Sequence, residues 1–241
     1  MIRKLLVVSA SGLVLSVLLL SGAWVVGGQE LVDHFEKEGG WNIQIDTDDD
    51  ATPKITRTLP FDDSKLLVLN GPVQLHFTRG ETSQISIKGA AAMVNDLKLD
   101  GGKLTLGARK GWHTGGLEVT ITAPRLVGLE LNGASDVELN GLDQPELTID
   151  ARGAVNLDAT GKVGKISVSS HGAGDIDLGR VEANDASVDV AGVGNVDINA
   201  GGTVTAKISG AGDISLHRRP KVLSTSISGF GSVDHDYPGG E

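Results

Sequence analysis

From residue 128 onward, apolar and polar side chains alternate in short runs that keep restarting. Leu129-Glu130-Leu131 leads through Asn132-Gly133-Ala134-Ser135 into Asp136-Val137-Glu138-Leu139. Alternation at period two puts successive side chains on opposite faces of a strand, so each run predicts a half-buried strand rather than a helix. The same unit returns at 149–157, 168–178 and 188–198, and again around Gly210-Ala211-Gly212-Asp213 and Gly229-Phe230-Gly231-Ser232. The leading glycines, Gly133, Gly153, Gly172, Gly192, Gly210 and Gly229, lie 20, 19, 20, 18 and 19 residues apart. So regular a period is the mark of a solenoid.

About 19 residues at roughly 3.3 Å each allow two or three short strands and their corners per coil. The Leu-x-x-Leu-x-Leu spacing of leucine-rich repeats is absent, and the period excludes nine-residue calcium-binding repeats. The prediction is an all-β, right-handed parallel β-helix in which equivalent residues of successive coils stack ~4.8 Å apart. Its core would hold the column Leu131, Val190, Ile208, Ile227 and the column Val137, Leu157, Ile176, Val196, Ile214, Val233. Glycine at each corner is expected for the backbone angles that other residues resist.

The chain before residue 128 carries a fainter version of the unit. Leu69-Asn70-Gly71-Pro72-Val73-Gln74-Leu75 resembles the stretch from Leu131 to Leu139 with two residues deleted at the turn. Alternation continues at Ile85-Ser86-Ile87, Leu97-Lys98-Leu99, Leu104-Thr105-Leu106 and Leu117-Glu118-Val119-Thr120-Ile121. Residues 59–127 are expected to form degenerate opening coils or a cap, 128–236 the regular coils, and 237–241 a tail.

The N-terminus has a different pattern. Arg3 and Lys4 precede an uncharged, Leu- and Val-rich run over 5–26, with small residues at Ser21-Gly22-Ala23. Residues 1–28 therefore predict a signal peptide or a retained membrane-anchoring helix. Either one exports the rest of the chain, to the periplasm, to a membrane-anchored position facing it, or to the cell surface. The inner membrane is a partner if the segment is retained. Residues 29–58 predict a short amphipathic helix ended by Gly39-Gly40, then an acidic linker. Within it, Asp46, Asp48 and Asp50 have the spacing of a calcium loop, but the glycine is missing and Arg57 stands where the bidentate Glu belongs.

Composition narrows the function. The 241 residues include no cysteine, which excludes disulfides, thiolate metal sites and a cysteine nucleophile. A net charge of −10 argues against nucleic acid as a partner. Residues 1–128 hold 13 basic and 14 acidic side chains, whereas 129–241 hold 8 basic and 17 acidic ones, so the regular coils carry the negative charge. The turn column reads Asp136, Asn156, Asp175, Asn195, Asp213, Ser232. Interleaved Asn separates the aspartates by ~9.6 Å and can donate to its neighbours, which makes a self-satisfying ladder. The competing reading is calcium held by Asp136, Asp175 and Asp213, the one cofactor the chain suggests. A second column, Glu138, Asp158, Asp177, Asp197, Ser215, Asp234, runs through four acids without alternation and should face solvent.

Six histidines fall in unrelated contexts, and none sits in a known nucleophile turn. Aromatic residues are 3% of the chain, too few to line a sugar cleft. The chain is therefore expected to be no enzyme. It reads as a cell-envelope module that binds or adheres through its ladder surfaces, with an envelope or surface ligand that the sequence does not name. A polysaccharide-active β-helix and an architectural or sensory module are the alternatives.

The Gly-Ala-Gly-Asp-Ile turns, the opening Leu69-Asn70-Gly71-Pro72-Val73-Gln74-Leu75, and Val119-Thr120-Ile121-Thr122-Ala123-Pro124 running into the first regular corner resemble the bacterial head GIN domain family over roughly residues 60–236. That family is described as the heads of autotransporter adhesins. The resemblance implies a right-handed parallel β-helix outside the inner membrane. It carries over no catalytic residue.

Overall fold

A computed structural model describes residues 54–101, 103–105 and 116–237. The expected signal or anchor segment, the helix over 29–38 and the Asp46–Asp50 run lie outside the described residues. Among those that are described, no helix is long and apolar enough to cross a membrane.

The opening part holds β1 (Lys54–Pro60), β2 (Leu67–Asn70), β3 (Val73–Arg79), β4 (Gln84–Ala90), the short helix α1 (Ala91–Asn95), β5 (Lys98–Asp100), β6 (Lys103–Thr105) and β7 (Leu117–Ala123). The regular part holds β8 (Gly128–Asn132), β9 (Ser135–Ala151), β10 (Val155–Ser170), β11 (Ile176–Val190), β12 (Val196–Ala200), β13 (Thr203–Ile208), β14 (Ile214–Leu216), β15 (Val222–Ile227) and β16 (Val233–His235). Together they build a nearly all-β solenoid of about 5 turns.

The shape of one coil follows from where its alternation slips. In β9 the buried positions are 135, 137, 139, then 142, 144, then 147, 149, 151. The phase breaks at Asn140-Gly141 and at Pro145-Glu146, and at each break the strand turns a corner. Gly141 takes φ 74°, open to glycine and resisted by other residues. β10 repeats the sequence of events one coil on, with a register shift between Ala159 and Gly161. Long strands therefore contribute to more than one face. β3, β9, β10, β11, β12, β14 and β16 stack as a first face; β8, β9, β10, β11, β13 and β15 stack as a second.

Both expected core columns stand in register. Val137, Leu157, Ile176, Val196, Ile214 and Val233 align across the first face. On the second, Leu131 is followed by Ala151, Ser170, Val190, Ile208 and Ile227, so a small and a polar residue fill the two gaps in the sequence-derived column.

The leading glycines serve a purpose other than the expected one. Positive φ occurs at Gly71, Gly101, Gly141, Gly161, Gly174 and Gly194, not at the leading column of the regular coils. There the constraint is close approach: a Cβ built on Gly172, Gly192 or Gly210 would lie within 2 Å of the carbonyl oxygen of the leading glycine one coil earlier. Those oxygens accept the next coil's corner N–H, as in Val193 N–H to Gly172 O and Ala211 N–H to Gly192 O, both at 2.9 Å. At the leading-glycine column the corners are a backbone stack with no room for a side chain.

The opening segment is not built as a run of opening coils. No residues are deleted at its turn: Val73 pairs with Ser135, Leu75 with Val137 and Phe77 with Leu139 at constant offset. Residues 59–127 do not stack coil upon coil in chain order, because β3 lies between β9 and the later β7. β4 runs antiparallel to β7, and β1 antiparallel to β4. Residues 54–58, expected as linker, belong to β1. The result is a mixed cap over the first coil.

A buried amide fastens the return from this cap. Gln144 accepts the Leu126 N–H at 2.8 Å and donates to the carbonyls of Leu126 and Glu146 at 2.6 and 2.7 Å. Its side chain is buried, so Gln144→Leu strands three backbone groups. The expected cost is about 1–3 kcal/mol, read as a lower urea midpoint at unchanged m-value.

Candidate functional site

The outward positions of the first face gather the polar side chains that the sequence placed in two ladders. In the turn ladder, Asn156 Nδ2 donates to Asp136 Oδ1 at 3.2 Å. Asn195 donates its backbone N–H and its Nδ2 to Asp175 Oδ1, each at 3.0 Å. The Asp213 N–H reaches Asn195 Oδ1 at 3.4 Å, and Ser232 donates N–H and hydroxyl to Asp213 Oδ1 at 2.7 and 2.8 Å. One oxygen of Asp136, of Asp175 and of Asp213 is thus already an acceptor. Among the described residues, no cluster of three or more His, Asp or Glu side chains could hold a metal ion.

The second ladder stands in register from Glu138 through Asp158, Asp177, Asp197 and Ser215 to Asp234. It is less bare than its sequence. His76 Nδ1 lies 3.1 Å from Glu138 Oε2. Arg180 donates to Asp158 at 2.8 Å and sits 3.9 Å from Asp177. His217 Nε2 lies 2.8 Å from Asp197 Oδ1 and its Nδ1 3.8 Å from Asp236. These partners come from corners and from the cap strand β3. Their positions in sequence do not mark them as partners of this column.

Where β3, β9, β10 and β11 lie side by side, these groups line an open trough of about 470 Å³. Gln74 and His76 come from β3, Asp136, Glu138 and Asn140 from β9, Asn156, Asp158 and Thr160 from β10, and Arg180 from β11. Gln74, His76, Asn140, Thr160 and Arg180 were not singled out by the sequence. Only the register of β3 against β9, through Leu75 and Val137, could have placed His76 beside Glu138. The trough is polar: Arg180 pairs with Asp158, His76 meets Glu138, and Asp136 takes the Asn156 amide.

Glu138 is held below the usual glutamate range, chiefly by the Asn140 amide at 2.8 Å and then by His76. A carboxyl whose folded pKa is lowered stabilises the fold above its unfolded pKa, and that contribution is lost as pH falls through the folded value. The Glu138 carboxyl should titrate below an ordinary glutamate in an NMR pH series. In Asn140→Ala its midpoint should move back up; an unmoved midpoint would refute the assignment. A glycosidase acid needs the opposite shift, upward, to stay protonated near neutral pH. Glu138 is tuned the wrong way for that work.

A family model described as "Putative auto-transporter adhesin, head GIN domain" matches residues 65–220. The chain belongs to the head GIN domain family. The match spans the cap return, the trough and all but the last coil of this head GIN solenoid. Among solved structures, a "putative adhesin" from Bacteroides fragilis shares the fold at TM-score 0.60 and 24% identity, covering 76% of this chain and 97% of that one. Further from it are a "putative adhesin" from Parabacteroides merdae (TM-score 0.46, 19% identity, 76% and 95% covered) and a "putative lipid binding protein" from Parabacteroides distasonis (TM-score 0.39, 16% identity, 76% and 96% covered). No curated protein matches the chain.

Proposed function

We propose that this head GIN protein is an exported envelope component whose solenoid binds an envelope or surface ligand without turning it over, through the first-face trough. The observation that carries the reading is the trough itself. Four rungs, fixed by backbone ladders, hold polar side chains at strand spacing, with His76–Glu138 and Arg180–Asp158 already paired. Such a surface offers many fixed donors and acceptors and little apolar area, as suits a polar, extended ligand. Family membership and the basic-then-apolar N-terminus both support export. The scarcity of aromatics supports binding over catalysis. Calcium is not required in this reading, because the ladder oxygens already accept protein N–H groups.

Isolated cell-envelope fractions provide the test. The purified full chain should bind them equally with and without millimolar calcium. The pair of substitutions Glu138→Lys and Asp158→Lys should abolish binding while the far-ultraviolet circular dichroism is kept. Equal binding by the double variant would move the site elsewhere or leave an architectural role. Release of sugar from any envelope glycan would replace the binding reading with an enzymatic one.

A further inference from the structure

The two ends of the solenoid are finished differently. At the cap end the edge strands are β1, which pairs with β4 alone, and β5, which pairs with β6 alone. β1 carries Lys54, Arg57 and Pro60, and β5 carries Lys98 and Asp100. Charges and proline on an edge are the usual protection against pairing with another strand. At the far end the second face finishes in β15, which pairs with β13 alone. Its sequence, Val222-Leu223-Ser224-Thr225-Ser226-Ile227, holds no charge, no proline and no glycine. Every earlier rung of that face from β8 to β13 carries at least one charged residue.

The same rung leaves core positions uncovered. Ile227 stands in register with Ile208, which is fully buried, yet is itself 46% exposed. Val222 and Phe230 add apolar surface at outward positions, in register with Thr203 and Ala211, and are 55% and 87% exposed. A solenoid's terminal coil needs a polar outer face or a cover. This one has neither among the described residues.

We propose that the cover is a second copy of the chain, joined through β15 in an antiparallel, two-fold-symmetric pair. The residues of β15 select the register. Leu223, Thr225 and Ile227 face the core, and a two-fold axis must pair this set with itself. Only an axis at Thr225 pairs all three: Leu223 opposite Ile227 of the partner subunit, and Thr225 opposite Thr225 of the partner subunit. Outside, the same axis sets Ser224 opposite Ser226 of the partner subunit. Apolar side chains thus meet apolar ones and hydroxyls meet hydroxyls, the pairings that stabilise antiparallel strands.

Charge agrees with this geometry. The chain entering β15 carries Arg218, Arg219 and Lys221, and the corner leaving it ends at Ser232, which donates its hydroxyl to Asp234 at 2.8 Å. An antiparallel two-fold turns the entering side of one copy toward the leaving side of the other, basic toward acidic. A two-fold pair is also closed, because the free ends are then both cap ends with guarded edges. The assembly stops at two. The inference is independent of the ligand-binding reading.

The chain has no cysteine, so Thr225→Cys introduces a single thiol, placed on the axis. Oxidised as the purified full chain in a non-ionic detergent, this variant should run mostly as a disulfide-linked dimer. Thr56→Cys, on the exposed cap-end strand β1, should not. By light scattering corrected for detergent, the unmodified chain should have twice the mass of one chain, and Thr225→Lys should halve it with an unchanged β-sheet spectrum. A monomeric parent overturns the proposal. So does a Thr225→Cys variant that crosslinks no better than Thr56→Cys, or a Thr225→Lys variant that keeps the doubled mass.

Discussion

Gly192→Ala is expected to destabilise the solenoid by more than about 4 kcal/mol or to prevent its folding, the range reserved for steric faults in a packed interior. One methyl group has this effect because of what occupies its place. A Cβ on Gly192 would lie 1.9 Å from the carbonyl oxygen of Gly172, and the next coil's Gly210 packs on Gly192 in the same way. That oxygen cannot retreat, since it accepts the Val193 N–H and so belongs to the ladder. Relief requires parting two coils, which breaks corner hydrogen bonds and opens the core columns beside them. Val193→Ala, one residue away, is the control. Val193 is 61% exposed, and its truncation should fall within about 0.5 kcal/mol of the parent. Urea unfolding of both variants decides; a Gly192→Ala loss below about 1 kcal/mol would mean the coils are not in true backbone contact.

Phe77→Ala is expected to cost about 3–5 kcal/mol, the range for emptying a buried aromatic site. Phe77 is fully buried in β3, in register with Ile121 of β7 on one side and Leu139 of β9 on the other. It fills the layer where the mixed cap meets the first regular coil. The cavity left behind would be walled by strands fixed on both sides, so the site has little freedom to collapse. The loss should appear as a lower urea midpoint. Amide exchange should rise first in β7 and β4, which pair with the solenoid through β3. A midpoint shift under about 1 kcal/mol would show that the cap is held chiefly by other contacts.

Much of the regular solenoid was legible because its information is local and repeated. Period-two alternation marks the strands, the glycine spacing marks the corners, and the two together set Val137, Leu157 and Ile176 in one column before any pairing is known. What was not legible depends on contacts that no repeat announces. The insertion of β3 between β7 and β9 is a crossover, and the alternating strands of 59–127 fit a simple stack equally well by pattern. Gln144 looks like any polar strand residue until the return at Leu126 is laid beside it. The acidic column reads as bare because its partners, His76, Arg180 and His217, sit outside the column's own sequence positions and reach it through corners and the cap. Spacing locates the glycines but does not give their cause. A tight backbone angle and a tight backbone contact leave the same trace in a sequence.

The alternation of the turn ladder has a consequence for how such a chain can change length. A single coil can be removed without disturbing the core, since its apolar columns look alike from one turn to the next. The ladder does not tolerate that change at an Asn-bearing coil. Take out the coil bearing Asn156 or Asn195, and two aspartates become neighbours at ~4.8 Å with no amide between them. Remove two adjacent coils, and Asp again meets Asn. The constraint is therefore on which turns can go: an Asp175- or Asp213-bearing turn leaves Asn beside Asn or Ser without electrostatic penalty, whereas an Asn-bearing turn can go only together with an Asp-bearing neighbour.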